Sequence, residues 1–165
     1  MITPLLQSGL TVWRTLTATL DSARPLAALT ARAYMAQVFF LSGLTKVRDW
    51  DTTLLLFTEE YKVPLLSPEV AAVMGTAGEL VLPVLLLFGL AGRFAALGLS
   101  VVNVMAVLSL SEIAPAALQQ HITWGVLLAA LALYGVGKWS VDGAWLQPRL
   151  DRWLTPRDAR SLSMN

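Results

Sequence analysis

Four stretches of this chain, residues 26–45, 70–91, 94–110 and 122–137, are apolar on almost every side. Crossing a bilayer's hydrocarbon takes about 20 helical residues at about 1.5 Å each, and a helix apolar all round has lipid and other helices for surroundings. The pattern predicts an all-α polytopic membrane protein built as a four-transmembrane-helix bundle. Of 165 residues, 56% are hydrophobic and 14% charged, whereas soluble domains carry roughly 25% charged residues. The net charge of +1 offers nucleic acid no electrostatic footprint. The absence of cysteine excludes disulfides, thiolate nucleophiles and Cys-ligated clusters. The single histidine, His121, excludes bis-His haem ligation. No metal or flavin site is visible, so redox electrons would have to sit on a bound group or a partner.

Stop and start signals fit these spans. Asp21, Ser22 and Pro25 predict a helix boundary before the first, and Ser67, Pro68 and Glu69 supply an N-cap, an N1 proline and an early acid for the second. The short link at residues 90–93 predicts antiparallel neighbours. Arg14, Arg24, Arg93, Lys138, Arg149, Arg152, Arg157 and Arg160 fall on the side of both termini, against Lys46, Arg48 and Lys62 on the other, so both termini are expected in the cytoplasm. No cleavable signal peptide is evident, and the first span is expected to act as its own insertion signal. The expected division is an N-terminal cytoplasmic or interfacial segment (1–23), a membrane domain (24–142) and a basic cytoplasmic tail (143–165).

Residues 50–61 read as a short amphipathic helix in the first outer loop. Trp50, Leu54, Phe57 and Tyr61 form an apolar stripe opposite Asp51, Thr52, Glu59 and Glu60, suited to an anchoring lid or to a gate over a site beneath it. Leu6, Leu10, Trp13 and Leu20 repeat the pattern more weakly. Trp145, Arg149, Arg152 and Arg157 give the tail an aromatic, basic character that suits anionic headgroups or topology alone.

Arg32 and Glu79 fall inside expected spans, where a central charge costs about 2.5–3.5 kcal/mol, so both should face the bundle interior. Arg32, Phe39, Gly43 and Lys46 share one face of the first helix. Counting from the outer boundary puts Lys46 at the rim, Arg32 about 21 Å deep and Glu79 about 14 Å deep, which makes Arg32 the nearer partner for Glu79, although either cation could reach it through water. Pro83 removes the backbone donor of the Glu79 carbonyl. An interhelical ion pair with a packing kink competes with a functional centre in which Glu79 and Arg32 are the catalytic candidates. His121 opens the fourth span at the level of Lys46 with Trp124 one turn on, either as a substrate donor or as a residue seated at the interface. Asn103 and Gln37 read as interhelical hydrogen-bonding groups.

Gly135, Gly137, Ser140 and Asp142 mimic a dinucleotide loop, but a membrane helix precedes them where that fingerprint needs a strand. They are better read as helix termination, with Ser140 or Asp142 capping the next turn of chain.

Arg32, the run from Ser42 and Gly43 to Lys46, Glu79, Gly89, Arg93 and the GxGxxSxD ending together resemble the DoxX family of small bacterial membrane proteins across residues 24–146. The resemblance implies a multi-pass protein of the bacterial inner membrane and membrane-associated redox biology. On that resemblance the first expectation is a quinone-linked oxidoreductase subunit working with another redox protein or as a homo-oligomer. A quinone would need donors and a proton path, for which Lys46, His121, Arg32 and Glu79 are candidates, with Trp50 or Trp124 flanking the ring. Two alternatives stand beside it: a docking subunit without chemistry, and a small-solute or ion transporter.

Overall fold

A computed structural model describes residues 4–154; Arg157 and Arg160 and the side chain of Leu6 lie outside the described residues. Among the described residues the chain forms α1 (Pro4–Arg48), α2 (Trp50–Glu59), α3 (Pro68–Phe88), α4 (Gly92–Leu108) and α5 (Pro115–Tyr134). A π-helical turn (Asp142–Leu146) and α6 (Gln147–Leu154) complete the order. The helices α3 and α5 are long and apolar enough to cross a membrane, and α4 is apolar but shorter, at 17 residues.

The boundary expected at residues 21–25 is not there. α1 runs unbroken for 45 residues with Pro25 inside it. Asp21 pairs with Arg24 at 2.7 Å instead of capping, and Ser22 donates back to the Thr19 carbonyl at 2.7 Å. A proline removes one backbone bond and strains one turn, which a long helix can absorb where side chains satisfy the carbonyls nearby. The fourth apolar helix also differs, beginning at Pro115, a proline at N1, seven residues ahead of the expected start.

α1, α3, α4 and α5 pack as a bundle around Met35, Phe39, Leu86, Leu99, Leu128 and Leu131, all buried. Val73, Val81, Phe94, Val101, Val126 and Leu133 point outward, more than half exposed, as helices facing lipid would have them. α3 ends at Gly89, whose backbone is left-handed (φ 64°) and whose N–H caps the Leu85 and Leu86 carbonyls. The turn into α4 is so short that α3 and α4 are antiparallel neighbours. α2 lays Trp50, Leu54 and Phe57, with Tyr61 just beyond its end, against Ala71 and Ala72, covering the first two turns of α3.

Candidate functional site

Gly43 sets the approach of α1 to α3. A Cβ there would lie 2.9 Å from the Leu80 side chain and 3.1 Å from the Glu79 Cβ, so only a residue without one lets the helices meet this closely. One turn on, the Lys46 ammonium reaches across to Glu79, Nζ to Oε2 at 2.6 Å, and donates also to the Ser42 hydroxyl at 3.0 Å. Both side chains are largely buried, 20% and 10% exposed. The Thr53 hydroxyl of α2 donates to the Lys46 carbonyl at 3.1 Å and ties the short helix over the pair. Thr76, one turn before Glu79, has a buried hydroxyl without a hydrogen-bond partner among the described residues. An unpaired buried hydroxyl costs free energy that a polar guest would return.

On α4 and α5, Asn103 and His121 hold each other twice. Asn103 Nδ2 donates to the His121 carbonyl at 2.9 Å, which turns Oδ1 toward His121 Nδ1 at 2.8 Å. With Oδ1 as acceptor, Nδ1 carries the proton and the neutral ring keeps Nε2 as an acceptor. Trp124 stands edge-on to His121, centroids 4.9 Å apart, and meets Phe39 of α1 at 6.0 Å. Its indole N–H donates to the Tyr34 hydroxyl at 3.2 Å. A groove of about 240 Å³ opens beside Asn103 and His121, bounded by Val104, Val107, Leu118 and Ile122. Because α1 and α5 are antiparallel and Phe39 faces Trp124, His121 stands level with Ser42 and Gly43, one turn from Lys46. Lys46, Glu79, Thr76, Asn103 and His121 therefore lie at one level of the bundle, a polar layer one turn from the Phe39 and Trp124 rings, with α2 packed over its α1 and α3 side.

The expected contact between Arg32 and Glu79 is not made. Arg32 is 1% exposed at the other end of α3, beside Gly89 and Ser140, and donates from Nη2 to the Trp139 carbonyl. Its Nε and Nη1 have no hydrogen-bond partner among the described residues. The displacement has a plain cause: α2 occupies the first two turns of α3, so the end of α1 meets α3 at Glu79, and Lys46 takes the partner assigned to Arg32. A cation at the negative end of α3 suits the helix dipole. Gly89 is required here twice over, by its positive φ and because a Cβ would strike Arg32 and Ser140.

The GxGxxSxD ending folds back on the bundle at this same end. Ser140 caps the π-helical turn, its hydroxyl accepting from the Gly143 N–H at 2.9 Å. Asp142 instead caps a helix fifty residues earlier, accepting from the Ala91 N–H at 2.9 Å and the Gly92 N–H at 2.7 Å, while its own N–H donates to the Gly89 carbonyl at 2.9 Å. Gln37, expected between helices, is exposed and makes no hydrogen bond to a described residue. Trp50 packs on α2's side of α3, apart from Trp124.

Two titrating groups hold the ends of α2. Thr52, through its hydroxyl and then its backbone N–H, keeps Asp49 below the usual carboxylate range. Burial, followed by the charges of Glu60 and Glu79, pushes the Tyr61 phenol above its ordinary value. Thr76 was not legible as a member of the layer: a threonine in an apolar helix carries no spacing signal.

A family model described as DoxX matches residues 27–112, more than half of the chain, and the chain belongs to that family. No curated protein and no solved structure matches it. The match spans α3 and α4 whole and ends before α5 begins, and together with the apolar helices it identifies a small membrane protein.

Proposed function

We propose that this DoxX protein is a four-span subunit of a quinone-linked redox system in the bacterial inner membrane, binding a quinone at the layer formed by Lys46, Glu79 and His121. What carries this reading is the buried Lys46 and Glu79 pair with the unpartnered Thr76 hydroxyl beside it. An ion pair inside a lipid-facing bundle is costly to keep and marks a functional centre by default. The groove beside Asn103 and His121 is wholly apolar, room for a ring and tail, and lies at the level of the Lys46 and Glu79 pair. Lys46 would donate to a quinone oxygen, and Glu79 would take up or release the accompanying proton. α2 would act as the lid, keeping water from the pair. The α1 segment at residues 26–45 would be the first span, both termini cytoplasmic, and the redox cofactor would belong to a partner protein.

Arg32, distant from this layer, would serve to dock residues 139–142 and not to meet the ligand. A docking subunit without chemistry is the second reading, favoured by the same Arg32 and Asp142 contacts, which need no ligand to explain them. Extraction of the purified protein separates the two. Retained quinone that disappears in Glu79→Gln and Lys46→Ala, and persists in Arg32→Lys, is the expected result. Protein without quinone, with full function in those variants, would leave the docking subunit.

A further inference from the structure

At the end of the bundle away from α2, the chain leaves α5 at Gly135 and crosses the start of α4, where Asp142 pins it. The crossing encloses a cavity of about 380 Å³ walled by Arg93, Phe94, Tyr134, Lys138 and Gln147 together with Asp142. The side chains of Arg93 and Lys138 make no hydrogen bond or ion pair with any described residue. Asp142, the acid on this wall, spends both carboxylate oxygens on the Ala91 and Gly92 N–H groups, so its charge faces the start of α4 and those amides are already taken. Asp142 keeps its charge in these bonds, so the cavity carries one guanidinium and one ammonium against one carboxylate, a net +1. Phe94, Tyr134 and Trp139 stand nearby, 65%, 87% and 57% exposed, as aromatic side chains do at the boundary between hydrocarbon and headgroups.

We propose that this cavity binds the phosphate of an anionic phospholipid. Arg93 grips the phosphate oxygens with its planar fork and Lys138 adds a point charge. The acyl chains run along the outward face of α4, past Phe94, Leu97 and Val101, all exposed. A zwitterionic headgroup brings its own ammonium to a cavity that already holds two cations, so the preference is for net negative lipid. The site needs only that the chain spans a bilayer and is independent of quinone binding.

Native mass spectrometry of the full chain, extracted from nanodiscs of mixed phosphatidylglycerol and phosphatidylcholine, tests it. Phosphatidylglycerol is retained in preference, and Arg93→Gln combined with Lys138→Gln reduces retention about 25-fold, roughly fivefold for each charge lost. The charge-preserving exchange, Arg93→Lys with Lys138→Arg, keeps most of the lipid, which separates loss of charge from loss of fold. Millimolar inorganic phosphate leaves the lipid in place. Displacement by phosphate alone would assign the cavity to a free anion and overturn the proposal. So would equal retention in the double Gln variant, or an equal loss caused by Arg149→Gln in the tail.

Discussion

Lys46 and Glu79 join α1 to α3 at 2.6 Å, one turn from the glycine that brings the two helices together. The pair closes the bundle at the α2 end as Arg32 and the Trp139 carbonyl close it at the other. Between these clasps the core is apolar, so the two ends can be perturbed separately.

Removing one partner of the Lys46 and Glu79 pair strands the other in a largely buried place. Glu79→Gln and Lys46→Met should each lower stability by about 2 kcal/mol, below the range for fully buried pairs because some water reaches this one. The double variant should lose less than the two together, and thermal unfolding of all four proteins in one detergent measures the coupling. Additive losses would mean that the contact contributes nothing.

Gly43→Ala drives a methyl group into Leu80 and the Glu79 Cβ. Overpacking of this kind costs about 1–3 kcal/mol and should spread α1 from α3. A spin-label distance between the two helices, measured before and after substitution, checks the spreading; an unchanged distance with unchanged stability would show that the helices have slack here.

Asp142 ties the exit from α5 to the start of α4. Asp142→Ala should cost about 1–2 kcal/mol, as loss of a helix cap does, while Asp142→Asn keeps part of the bond and costs less. Hydrogen exchange at the Ala91 and Gly92 amides reports the loss locally. Protection unchanged in Asp142→Ala would contradict the long-range cap.

Groups that titrate in opposite windows bracket α2. The folded state holds Asp49 below its ordinary range, so this group's contribution is present above the unfolded value and is lost as pH falls through the lower folded one. Tyr61 is raised, so its contribution is complete below about 10 and is lost as pH climbs through the folded value. A difference absorbance titration against Tyr61→Phe isolates that phenol. Glu79→Gln should lower its midpoint but not restore it, since burial is the larger cause.

The apolar windows, the tight link between α3 and α4 and the Ser67 cap of α3 are all readable from residue order, because each depends on neighbours within a turn or two. The partner of Glu79 is not. Depth counted along each helix assumes that α1 and α3 meet the boundary together, and α2 breaks that assumption by taking the first two turns of α3 for itself. The run through Pro25 is hidden for a similar reason: Asp21 has a local ion pair to make with Arg24 as well as a cap to offer. The long-range cap by Asp142 joins residues fifty apart, which no local pattern encodes. Asn103 is legible as an interhelical hydrogen-bonding group, but its partner becomes visible only when α4 and α5 are set side by side.

The polar layer as a quinone site is tested most directly by equilibrium binding of a short-chain quinone to the full protein in nanodiscs. Wild type and Arg32→Lys should bind alike, while Glu79→Gln weakens binding at least about tenfold, the worth of one buried charge-assisted hydrogen bond. Binding unchanged in Glu79→Gln, or abolished by Arg32→Lys alone in protein that remains folded, would contradict it.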